Sequence, residues 1–136
     1  MDLSRPTPDE IRRVLCDAEI WERETDDASP QAFPGLPDSV SCIGGYTGEA
    51  IIGLAMTHHT PDGLKFHFAV LRPYRWLARA FLARVLEVVG PVYCDIPDCY
   101  RAVINFAKHA GFVETGKSGA YVKNGISYPR TRLCRS

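Results

Sequence analysis

The order of patterns along this chain predicts an α+β fold: a single domain with a mixed, mostly antiparallel central sheet flanked by helices. Three observations carry that expectation. Thr7-Pro8-Asp9-Glu10 reads as a capping box opening a helix, Val40 to Leu71 holds three β-prone runs separated by turn chemistry, and beyond Pro73 the apolar period changes from two to helical. A length of 136 residues suits one domain around one core.

Thr7 can cap the first helix, Pro8 occupies the position where a missing N–H costs nothing, and Glu10 can reach back to the cap. Ile11, Val14, Leu15, Ala18 and Trp21 follow at helical spacing, which predicts one helix running to about Arg23. Glu24 to Asp38 contains three prolines and a glycine and predicts a loop. A loop of that length is either functional or a solvated connector, and both readings stand at this point.

Val40 to Tyr46 and Ala50 to Thr57 flank Thr47-Gly48-Glu49 and predict an antiparallel hairpin. Gly44-Gly45 predicts a bulge or a close backbone approach. Pro61-Asp62-Gly63 is a second turn, after which Leu64 to Leu71 returns as the third strand of a meander. From Tyr74 onward, Leu77, Phe81, Leu82, Val85, Leu86 and Val89 share one helical face, and Gly90-Pro91 end that helix. Val92 to Ile96 then reads as a strand, and the strand–helix–strand order implies a right-handed crossover with parallel pairing. Asp98 is expected to cap a helix over Cys99 to Ala110 that stops at Gly111. Phe112 to Thr115, Ala120 to Lys123 and Ser127 to Leu133 complete the sheet as short strands, with a turn at Asn124-Gly125.

Sixteen basic residues balance sixteen acidic ones, so no whole-molecule field recruits nucleic acid or a membrane surface, and any polyanion site has to be local. No run approaches the ~20 apolar residues of a membrane span, and Met1 to Glu10 lacks a signal-peptide core, which predicts a cytoplasmic protein. Five cysteines without a CxxC are expected as free buried thiols. His58-His59 marks a strand end rather than a metal site, because no third ligand stands at a helpful spacing.

Two stretches carry a family resemblance that spans residues 40–133. After Pro73 comes Arg75-Trp76-Leu77-Ala78-Arg79-Ala80, and later Ile104-Asn105-Phe106-Ala107-Lys108-His109-Ala110 runs into Gly111-Phe112. With the order of elements, these resemble the GNAT superfamily of acyl-coenzyme A N-acyltransferases. The resemblance implies the GNAT fold, with acetyl-coenzyme A as co-substrate. Arg75, Trp76, Leu77, Ala78, Arg79 and Ala80 would form the pyrophosphate turn, where helix N–H groups and the helix dipole favour an anion. Ala69, Val70 and Leu71 of the preceding strand would lie along the pantetheine arm. Ala78 replaces the first family glycine and adds a methyl group, while Arg75 and Arg79 offer charge-assisted contacts. Read without the family, Arg72, Arg75, Arg79 and Arg84 also make a solvated helix face.

The implied reaction moves an acetyl group to an amine, on a small molecule or a protein. It needs a neutral amine, a polarised carbonyl and a proton donor for the thiolate. His67 is the candidate base because imidazole titrates near neutral pH, an edge histidine being the plain reading of the same residue. Tyr100 and Tyr121 are the candidate acids. The chain departs from the family at two places: Tyr100 stands where an Asn often begins the second helix, and Ala107 where a Tyr often donates the proton. The alternative is accordingly a non-catalytic GNAT-like assembly or interaction protein of the kind phages and prophages encode. Glu22, Asp26 and Asp27 favour a cationic acceptor, and exposed late strands can pair across a homodimer.

Overall fold

The computed structural model describes residues 1–136. Seven strands form one sheet in the order β1-β2-β3-β4-β5-β7-β6. They are β1 Asp2–Ser4, β2 Ser41–Thr47, β3 Ala50–Thr60, β4 Gly63–Val70, β5 Val92–Pro97, β6 Val113–Lys123 and β7 Ile126–Arg135. Every neighbouring pair is antiparallel except β4 and β5. Four helices flank the sheet: α1 Pro8–Leu15, α2 Ala18–Glu24, α3 Ala78–Val89 and α4 Arg101–His109. The expected α+β architecture and its meander, crossover and final hairpin are all present.

Instead of one core there are two. Phe81, Leu82, Val85 and Leu86 of α3 and Ile104 and Ala107 of α4 pack with Phe66 of β4. Val14 and Leu15 of α1 and Ile20 of α2 pack with Ala69 and Leu71. Alternate residues of one strand point to opposite faces, so a sheet covered on both faces necessarily separates two clusters.

Local chemistry explains where the boundaries differ from the sequence pattern. The capping box forms, Glu10 N–H donating to Thr7 Oγ1 at 3.2 Å and Thr7 N–H to Glu10 Oε1 at 2.9 Å. The single helix expected to reach Arg23 is broken, because Asp17 Oδ1 accepts from the N–H groups of Glu19 and Ile20, both at 3.1 Å, and so starts a second helix. Apolar periodicity survives such a break. A 3-10 turn over Arg72–Leu77 precedes α3, which therefore begins at Ala78 and not at Tyr74. Asp98 does not cap α4: its carboxylate accepts from Lys117 Nζ at 2.8 Å and from Thr131 Oγ1, tying it to the sheet. Two of the expected short strands merge into β6 across bulges at Glu114/Gly116 and Lys117/Ala120.

The paired glycines do mark a bulge, at Gly45/Tyr46. A Cβ on Gly45 would stand 2.9 Å from the Phe81 ring, and one on Gly53 would stand 2.3 Å from the Ala69 carbonyl oxygen. Among the cysteines only Cys94 is fully buried, and Cys16 and Cys99 are exposed, which corrects the expectation of buried thiols throughout. No helix is long and apolar enough to cross a membrane.

Candidate active site

The site originates in one irregularity of the sheet. β4 and β5 pair at a single position, Lys65 opposite Tyr93. Past that point the two parallel strands share no register, and a cavity of about 620 Å³ opens between them. Phe66, Phe68 and Val70 of β4 form one wall, Asp95 and Ile96 of β5 the other, with Val103 and Phe106 of α4 alongside. Backbone groups of β4 on the β5 side have no ladder partner here and are available to a ligand.

Ionic contacts pin the closed end of the wedge. Arg132 of β7 grips Asp95 through Nε–Oδ1 at 2.8 Å and Nη2–Oδ2 at 3.0 Å, and Lys65 Nζ lies 3.5 Å from the same carboxylate. Burial alone pushes the Asp95 carboxyl up, yet the Arg132 hydrogen bonds and the two cations more than offset it, leaving its pKa below the usual range. Arg132 also lies over the Tyr93 ring at 4.5 Å. The strands are thus fastened at one end and free to diverge at the other.

All three candidate catalytic residues line this cavity. His67, in mid-β4, has Nδ1 3.7 Å from Glu24 Oε2 and stacks on His58 with ring centroids 5.5 Å apart. Tyr100 and Tyr121 meet hydroxyl to hydroxyl at 2.9 Å. Tyr121 donates its proton to the Thr25 carbonyl at 2.9 Å, so Tyr100 is the donor within the pair. Burial and the Tyr100 contact raise the Tyr121 pKa well above that of a free phenol.

The residues expected along a coenzyme fall into three sets. Ala69, Val70, Arg75 and Ala78 line the cavity. Leu71 is buried in the α1/α2 core and Leu77 packs on the α3/α4 core. Trp76, Arg79 and Ala80 are exposed on the turn, Trp76 at 78%. Two amides of this segment are already engaged, Tyr74 N–H with Leu71 O at 2.9 Å and Ala78 N–H with Arg75 O. Arg75 is ion-paired with Glu19, which also lies 3.9 Å from Arg72 and from Arg23.

Several contributors escaped sequence reasoning. Glu24 and Glu19 belong to α2 and meet β4 and the arginine turn only in three dimensions. Arg130 of β7 lines the cavity, donates to Ala120 O at 2.8 Å and lies 5.7 Å from the Tyr121 ring centre. The α2–β2 loop is fastened over the site: Asp27 accepts from the N–H groups of Asn124 and Gly125, both at 2.9 Å, and Lys123 Nζ donates to Glu22 O at 2.9 Å and Thr25 O at 3.0 Å. The acidic Asp26-Asp27 pair and the Asn124-Gly125 turn are each visible in the sequence, but their contact is not. No group of three or more His, Cys, Asp or Glu is placed to hold a metal ion.

Solved structures show the same architecture. A spermidine N-acetyltransferase variant from Vibrio cholerae superposes with a TM-score of 0.77 at 12% identity, covering 99% of this chain and 94% of that one. A ribosomal-protein-alanine N-acetyltransferase from Brucella melitensis gives 0.73 at 14% identity, covering 99% of both chains. A Bacillus subtilis acetyltransferase solved in complex with coenzyme A gives 0.66 at 13% identity, covering 99% of this chain and 96% of that one. No family model and no curated protein sequence matches the chain. The likeness establishes the GNAT fold, a mixed seven-stranded sheet flanked by four helices. At such identities it carries fold alone, so function has to be argued from the site.

Proposed function

We propose that the protein transfers an acetyl group from acetyl-coenzyme A to an amine. The observation that carries this reading is the wedge between β4 and β5, which brings an imidazole and a phenol onto the walls of one cavity while leaving β4 backbone groups unpaired. A purely structural or interaction role requires neither the opening nor the convergence of these groups.

The residues fit the co-substrate in the following way. Phe68 and Val70 offer an apolar wall to the pantetheine arm, and the 3-10 turn with the start of α3 faces the diphosphate, where exposed Arg79 and Arg72 supply charge. Ala78 stands at a position where the family favours glycine, and its methyl group narrows the approach. Arg75 reaches a phosphate only by releasing Glu19.

His67 takes a proton from the ammonium form of the acceptor, and Glu24 at 3.7 Å stabilises the imidazolium that results. The neutral nitrogen attacks the thioester carbonyl, forming the C–N bond, while a free β4 N–H bonds the developing oxyanion. As the C–S bond breaks, Tyr100 rotates its hydroxyl away from Tyr121 and protonates the thiolate, and the proton that the new amide nitrogen sheds returns to the Tyr100 oxygen while His67 gives up its own to solvent. Tyr121, with its own proton on the Thr25 carbonyl, orients Tyr100 rather than reacting.

The direct test is thermal stability with acetyl-coenzyme A. Ligand at about a hundred times Kd stabilises by about 2.7 kcal/mol and raises Tm by several degrees. An unchanged Tm at millimolar coenzyme would remove the reading. The same reading includes a homodimer through the edge strand β6, where Val113 is 65% exposed; light scattering that gives a monomer mass would strike that part.

A further inference from the structure

Next to the wedge lies a second cavity, of about 230 Å³. Trp21 of α2, Phe33 and Leu36 of the α2–β2 loop, Val40, and Met56 of β3 surround it. Glu24 and His67 line this cavity and the main one together, so the two side chains form a shared wall with chemistry on one side and carbon on the other.

The pocket is built, not incidental. Trp21 Nε1 donates to the Pro30 carbonyl at 3.1 Å, and the Trp21 and Phe33 rings meet edge-on at 5.9 Å. Phe33, Leu36 and Val40 also pack against the α1/α2 core, so the proline-rich loop is held down by its own apolar residues. Its polar lining is limited to Glu24, His58 and His67. Burial, His67 and Lys65 all hold the His58 pKa below the usual imidazole range, so near neutral pH His58 adds no positive charge and the Glu24 carboxylate supplies the anion at the shared wall.

We propose that this pocket selects the acceptor: an amine bearing an aromatic ring or branched alkyl group close to its nitrogen, with the ammonium on Glu24 and the apolar group among Trp21, Phe33, Leu36 and Met56. The proposal rests on the acyl-transfer reading for the use made of that amine. Size supports the assignment, because an apolar cavity of ~150 Å³ already holds benzene. Chemistry narrows it further: a polyamine would place a second ammonium against carbon, an uncompensated desolvation.

Isothermal titration with 2-phenylethylamine, 3-methylbutylamine, methylamine and spermidine, with and without coenzyme A, tests the proposal. Burial of the ring should make 2-phenylethylamine bind at least about tenfold tighter than methylamine. Leu36→Trp, which fills the pocket, should abolish the difference; Val40→Phe fills it from another lining position if Leu36→Trp does not fold. Equal affinities in the wild type, or a preference that survives both substitutions, would overturn the proposal. Thiol release from acetyl-coenzyme A separates the two ideas. If the coenzyme binds and amines are acetylated without preference, the pocket assignment falls and acyl transfer stands. If the coenzyme does not bind while the aromatic preference persists, acyl transfer falls and the pocket remains.

Discussion

His67 and Tyr100 carry opposite duties in the proposed reaction, and their neighbours show how each is tuned. Glu24 Oε2 lies 3.7 Å from His67 Nδ1, whereas Tyr121 beside Tyr100 accepts a hydrogen bond and holds the phenol in place. Substituting His67 by Ala is expected to lower turnover by roughly 10²- to 10⁴-fold while leaving the coenzyme-induced rise in Tm intact. Turnover equal to wild type would remove His67 from the mechanism. Tyr100→Phe should lower kcat by a similar factor, and Tyr121→Phe by less, since it disturbs only orientation. His58 gives a pH prediction. Its folded pKa lies below the unfolded value of about 6.5, so the unfolded chain binds protons first and stability falls as pH drops below about 6.5. Melting curves from pH 7.5 to 5 should show this decline, and it should shrink in His58→Gln; an identical slope in the variant would assign it elsewhere. His67 and the tyrosines could be proposed from the sequence because their side-chain chemistry is specific. Glu24 could not, since one acidic residue at the end of an amphipathic helix looks like any solvated charge.

At the scale of elements, the glycines decide how closely strands and helices approach. Gly45 admits the Phe81 ring of α3, and Gly53 lets the β3 backbone lie against the Ala69 carbonyl near the open end of the wedge. Gly53→Ala places a methyl group 2.3 Å from that oxygen and 3.0 Å from Val70 Cα, all of it β4 backbone with no flexible side chain to yield. A loss of about 1–3 kcal/mol is expected from denaturant unfolding, with reduced coenzyme affinity because β4 must shift. A Gly53→Ala protein as stable as wild type would show that the contact relaxes freely. The sequence flagged Gly44-Gly45 as a pair but passed over Gly53, a single small residue in an apolar run. Asp17 was overlooked for a related reason: Val14, Ala18 and Trp21 keep helical spacing across a break that one carboxylate imposes on the backbone.

The whole molecule works as a wedge with a fixed apex and an open mouth. Asp95 joins three strands at that apex, through Lys65 on β4 and Arg132 on β7, and its side chain is only 7% exposed. Asp95→Ala leaves Lys65 unpaired and Arg132 with Asp62 as its one remaining carboxylate, at 3.0 Å, although both cations still reach solvent. The expected loss is about 2–3 kcal/mol, with faster amide exchange along β5. Full stability in that variant would locate the restraint in the strand pairing of β5 with β7 instead. The Asp27 contacts with Asn124 and Gly125 tie the α2–β2 loop, residues of which line both cavities, to the last hairpin.

The sequence by itself determined most of the elements from Thr7 onward and their order, though not the strand Asp2–Ser4 or the break at Asp17, because apolar period, caps and turn residues are local properties written into consecutive positions. It also brought out His67, Tyr100 and the arginine turn as chemically able. Only the tertiary structure decided that β4 and β5 touch at one residue pair, that Glu19 holds Arg75, that Glu24 meets His67, and that Trp21 and Phe33 enclose a pocket. Each of these depends on residues distant in sequence arriving at one point. That convergence is set by packing two helical layers on a twisted sheet, which no local pattern encodes.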